Sequence, residues 1–194
     1  KQYCLGGLAA IALAVFPARA ANYYVDSFTG DDAHNGTSQS APWKSLAKVN
    51  GKTFQPGDSI LFKCGGVWVG QLNPKGSGVA GSPIVIDRYG SGPKPVIDAN
   101  GATGNGAVYL FNQEYWEINH LEVINDAPEG GDRRGIYLSA SNFVGNVVNH
   151  LYVRNCDIFN IKGIAHQASN AAKRTGGVIV EVIDDRSLPT RFHD

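Results

Sequence analysis

Two adjacent carboxylates and a guanidinium, Asp184-Asp185-Arg186, follow the run VIVEVI. Paired carboxylates can serve as acid and base in glycoside cleavage, and a neighbouring cation can neutralise an acidic sugar. A solvated turn accounts for the same three residues. Lys162 and His166, with Lys173 and Arg174, fall in a long stretch before Gly176. Insertions of this kind build binding walls on repeat proteins, which makes Lys162 and His166 candidates for substrate contact. Tyr109 and Tyr137 occupy matching places in GAVYL and RGIYL. They are expected to point outward, one above the other, as a platform for sugar rings or as simple cross-repeat packing. Glu129, Asp132, Arg133 and Arg134 lie in a Gly-rich stretch and read as solvated loop charge. No CxxC or Cys/His metal spacing occurs. Asp31-Asp32 lacks the spacing of a Ca²⁺ loop, so no metal ligands are assigned.

These residues hang on a repeated phrase. GAVYL at Gly106–Leu110 is followed by WEINHLEVIN at Trp116–Asn125, RGIYL at Arg134–Leu138 by NHLYVRN at Asn149–Asn155, and GGVIV stands at Gly176–Val180. Val108 and Ile136 are 28 apart, His120 and His150 are 30 apart, and Ile136 and Val178 are 42 apart. Apolar residues alternate within each phrase, which is the period of strands. A unit that cannot bury its own apolar face must stack on the next. The expectation is an all-β solenoid of parallel coils. Val108, Leu110, Ile136, Leu138, Val178 and Val180 should enter one core. Asn125 and Asn155 should stack at one corner with side chains turned inward, while His120 and His150 read as positional. In such a stack outward residues recur about every 4.8 Å, so carboxylates one or two coils apart bracket the separations used by retaining and inverting glycosidases. A uronide lyase would need a base and a cation, and Ca²⁺ becomes possible.

The chain has 194 residues, 24 glycines, no methionine and equal numbers of acidic and basic residues, so it carries no basic footprint for nucleic acid. Lys1, the apolar run Leu5–Phe16 and Ala18-Arg19-Ala20 read as a secretion signal over residues 1–20. The run is too short to span a bilayer, so no membrane attachment is expected after cleavage. The expected location is periplasmic or extracellular, as a monomer. Export permits a disulfide between Cys64 and Cys156, but buried free thiols are the preferred reading. The third phrase breaks off after its first half with no cap following it. The chain therefore reads as the N-terminal part of a longer protein.

Residues 21–57 read as a cap and 58–194 as coils. Trp43–Asn50 has the spacing of a short amphipathic helix, placed to cover the apolar end of the first coil. The series YYVDS, GDD, NGTS, PWKSLAKVN, FQPGDSILFK, GVWVGQL, GSPIVIDRYG and KPVID resembles the start of secreted right-handed parallel β-helix proteins. These include pectate-lyase-like and chondroitinase-B-like polysaccharide lyases and related glycoside hydrolases. The resemblance implies a right-handed parallel β-helix that cleaves a polysaccharide, by elimination or hydrolysis, more in keeping with an acidic one. A non-catalytic adhesin or glycan-binding stalk is the alternative. No lyase Lys/Arg motif matches, so the resemblance assigns no catalytic residue.

Overall fold

The computed structural model describes residues 19–164, 175–183 and 186–193. The chain is a parallel β-helix of stacked coils, each with three faces. The first face runs β1 (Asn22–Val25), β2 (Ser59–Lys63), β4 (Ile84–Tyr89), β7 (Trp116–Asn119) and β11 (Leu151–Arg154). On the second face, β3 (Val67–Val69), β5 (Val96–Asp98), β8 (Glu122–Asn125) and β12 (Asp157–Ile161) lie in order. The third holds β6 (Gly106–Phe111), β9 (Arg134–Ala140) and β13 (Gly176–Val182). A fourth, shorter pair joins β10 (Val147–Asn149) to β14 (Arg191–His193). All these ladders are parallel.

Register builds the core in rows. Ile60, Ile86, Ile118 and Val153 pair in sequence on the first face. Trp68, Ile97, Val123 and Ile158 do so on the second, and Leu110 and Leu138 on the third, with Val180 next in register. Burying one such side chain stabilises the fold by about 1.5–3 kcal/mol, so a coil laid in register gains several at once. Val108, Leu110, Ile136 and Leu138 enter this core as expected. Val178 and Val180 do not, being 44% and 54% exposed. Their strand has a neighbour on one edge only among the described residues.

The N-terminal side is closed. Helix α1 (Leu46–Asn50) starts at Ser45, whose side chain accepts from the Lys48 N–H. It is shorter than expected, because Trp43 precedes it and bridges to Val25 instead. Trp43, Leu46 and Val49 all join the core. The indole stacks on Tyr23 at 4.9 Å and donates Nε1–H to the His34 carbonyl at 3.0 Å. Gly36 has φ +76°, and a Cβ there would sit 2.5 Å from Cε2 of that indole. Asp32 is a structural acceptor: its carboxylate takes the N–H groups of Lys44 and Ser45 and the Ser45 hydroxyl. Asp31 accepts from the Ala33 N–H. Among the described residues no group of three or more His, Cys, Asp or Glu is placed to hold a metal ion.

The asparagine expectation needs correction. Leu151 pairs with Trp116 and Asp157 with Glu122, so the true repeat is five residues longer than the His120–His150 match suggested. Asn125 therefore lies opposite Ile161, and it is Asn155 that sits beside His120. Asn125 is buried and donates to the Ala102 and Arg134 carbonyls, whereas Asn155 is exposed. The two do not stack. The cross-coil amide rung exists at other asparagines. Asn112 donates to the Ser141 carbonyl at 2.9 Å and accepts the Ser141 N–H at 2.8 Å. Asn50 makes the same double link to Gln71 and Asn73. His120, His150, Tyr115 and Asn155 share another property, a positive φ of 52–55° at the corners flanking β7 and β11. Asn and His adopt that conformation more readily than most residues. Cys64 and Cys156 are both free thiols, one buried and one partly so. Burial raises the pKa of the Cys156 thiol.

Candidate functional site

The outer side of the third face carries a ladder of stacked aromatic rings next to an acidic group. Alternation turns Tyr109, Phe111, Tyr137 and Ser139 away from the core, in phase with Glu181. Parallel register then sets two rows: Tyr109 beside Tyr137, and Phe111 beside Ser139 beside Glu181. Tyr109 stacks on Tyr137 at 5.3 Å and 18°, and on Phe111 at 6.3 Å and 26°. Three rings thus form a continuous ladder across two coils. The Tyr137 hydroxyl donates to Glu181 Oε2 at 2.6 Å, and the Ser139 hydroxyl donates to Tyr109 Oη at 3.4 Å.

Tyr137 does not serve as an open platform. It faces outward as expected but is only 3% exposed. The guanidinium of Arg134 lies 4.5 Å from its ring centroid, and Tyr109 covers it from the coil before. Phe111, at 42% exposed, is the accessible ring, with Tyr109 half-buried beside it.

Arg134 is itself buried, which corrects its reading as solvated loop charge. Asp132 Oδ1 lies 2.9 Å from its Nη2, while Nε and Nη1 find no acceptor among the described residues. A cation taken this far out of water must be compensated, and here Asp132 and the Tyr137 ring share that task. Arg133 is also committed: it donates to the carbonyls of Gly101, Glu129 and Lys162 and ties the loop to both neighbouring coils.

The other candidates are dispersed. Lys162 is exposed just after β12, and its carbonyl receives the Gly131 N–H and Arg133. Arg186 lies in the turn between β13 and β14 and donates to Thr190 Oγ1 at 2.8 Å. His166, Asp184 and Asp185 lie outside the described residues. Glu181 went unassigned in the sequence. The available signal was its phase, two residues beyond Ile179 in the same period-two run.

A second polar cluster lies on the outer side of the first face. His120 Nδ1 meets Asp87 Oδ1 at 2.8 Å, and Nε2 faces the Asn155 amide at 3.3 Å. With Nδ1–H donated to Asp87, Nε2 accepts from Asn155, so one neutral tautomer satisfies both contacts. Glu117 receives His150 Nε2 at 2.8 Å and Arg154 Nη1 at 3.0 Å. Both histidines therefore link successive coils, which agrees with their positional reading.

No family model matches the chain. A curated lacto-N-biosidase of Bifidobacterium longum subsp. longum is 45% identical over a region covering 54% of this chain and 8% of that protein. Among solved structures, the GH136 lacto-N-biosidase from Eubacterium ramulus superposes with a TM-score of 0.74 and 29% identity. That match covers 84% of this chain and 30% of the solved chain. A native crystal of the same enzyme gives a TM-score of 0.72 at 28% identity. The chain thus spans less than a tenth of the curated relative it matches and under a third of the solved ones.

Proposed function

We propose that this chain forms the cap and first coils of an exported β-helix enzyme that hydrolyses glycosidic bonds. The observation that carries this reading is the superposition of 84% of the chain on a lacto-N-biosidase. The aromatic ladder ending on a carboxylate supports it, because ring faces pack on sugars while carboxylates accept their hydroxyls. Hydrolysis is favoured over elimination, since both relatives are named as glycosidases. The substrate class is a glycan that ends in lacto-N-biose. The acidic polymer favoured by the sequence is the second reading, and the test below includes it. No acid/base pair is assigned within the described residues.

The test incubates this chain, and a longer polypeptide carrying it, with lacto-N-biose-terminated glycans and with pectate, alginate and chondroitin. Release of the disaccharide from the first group is expected. Unsaturated uronide products from the second would overturn hydrolysis in favour of a lyase. Binding without any cleavage would leave a glycan-binding stalk.

A further inference from the structure

We infer that Phe111, Tyr109 and Glu181 form a saccharide subsite on the third face, spanning at least two sugar rings. The inference rests on the glycan reading above and deepens it by giving each residue of the ladder a role toward the ligand. Three observations converge. The row Phe111, Ser139, Glu181 crosses three coils, which at about 4.8 Å per coil is close to 10 Å. That length suits two linked sugar rings laid along the coil axis. The accessible aromatic surface is at one end, on Phe111 with Tyr109 stacked beside it. The polar terminus is at the other, on Glu181, held by the Tyr137 hydroxyl.

Division of labour follows from burial. Ser139 and Tyr137 are covered and touch no ligand; they are positioning residues. Tyr137 fixes the Glu181 carboxylate and supports the Tyr109 ring, and Arg134 holds Tyr137 from behind. The carboxylate accepts hydroxyl protons from the second ring, while the apolar face of the first ring packs on Phe111. On the second face Val69 is also exposed, in a row that continues through Asp98 to Ile124 and Phe159, while Val67 leads through Val96 to Glu122 and Asp157. Val69 serves as the exposed apolar control.

The test is binding to the purified chain, followed by calorimetry and saturation-transfer NMR with lacto-N-biose and a tetrasaccharide ending in it. Phe111→Ala is expected to weaken binding about tenfold, as loss of one aromatic contact would. Glu181→Gln keeps the shape, removes the charge, and is expected to weaken it about threefold or more. Tyr137→Phe should weaken binding without moving the saturation-transfer pattern on the first ring, and Val69→Ala should change nothing. Equal affinity for Phe111→Ala and the parent, or loss of binding on Val69→Ala, overturns the subsite. Cleavage with unchanged Phe111→Ala affinity would sink the subsite and leave the hydrolase standing. Phe111-dependent binding without cleavage would do the reverse.

Discussion

Replacing Trp43 by Ala tests whether the cap holds the first coil. The side chain is 4% exposed, stacked on Tyr23, and its Nε1–H satisfies the His34 carbonyl. Emptying a buried Trp site costs about 3–5 kcal/mol. A whole domain is stable by only about 5–15 kcal/mol, so this is a large share. For a chain of this size each kcal/mol moves the melting point by about 2–4 °C, giving a drop of about 6–20 °C. Trp43→Phe separates the two contributions. It keeps a ring against Tyr23 but leaves the His34 carbonyl without its donor, a cost of about 1–3 kcal/mol. Calorimetry and thermal circular dichroism of the three proteins provide the readout. A Trp43→Ala melt within about 2 °C of the parent would refute the lid argument. Equal losses for Ala and Phe would show that the hydrogen bond, not the packing, holds the cap.

Asn112→Ala removes both links to Ser141 and should cost about 1–3 kcal/mol, with faster hydrogen exchange at the Ser141 amide. Unchanged exchange there would contradict the rung. For Asp26 and Asp32, burial pushes each carboxyl up. It is outweighed by the Phe28 and Thr29 donors at Asp26, and by Ser45 and Lys44 at Asp32, so both folded pKa values lie below the usual carboxylate range. The stability they supply is complete above about pH 4, the unfolded value, and is lost as pH falls through the lower folded values. Asp32→Asn should therefore flatten acid unfolding; an unchanged acid limb would show that other carboxylates control it. Glu117→Gln, on a partly exposed network, should cost only about 0–1 kcal/mol in a denaturant titration, and a larger loss would mean the His150 and Arg154 contacts act together.

Period-two alternation made the strands and their buried faces legible, because a strand with one face in the core admits few other patterns. Tyr109 and Tyr137 were placed in register for that reason. Neither the exposure of each ring nor the burial of Arg134 could be read, since both depend on which side chains stack against them across coils. The histidine match misled because His120 and His150 do serve the same backbone need, a left-handed corner, but at different corners of the coil. A residue type reports a local conformation, whereas register depends on the whole coil. The longer spacing that pairs Leu151 with Trp116 is set by the packed row of Ile118 and Val153. Glu181 was missed because a single acid in an apolar run carries no signal until the coil before it supplies Ser139 and Tyr137 as neighbours.

The closed cap and the one-sided strands at the opposite end give assembly a direction. Among the described residues each main strand pairs only with strands of the coil before and after it, so a strand added to the stack finds an edge already ordered. The costly event is the first pairing of two coils, which forms without a template and can occur anywhere along a solenoid. After that, β11, β12 and β13 are added to existing edges as a crystal face takes up another layer. A lesion in the cap uncovers the first coil, while one in a late coil leaves the earlier pairings intact. Synthesis from the N-terminus supplies the layers in the order in which they can be laid down.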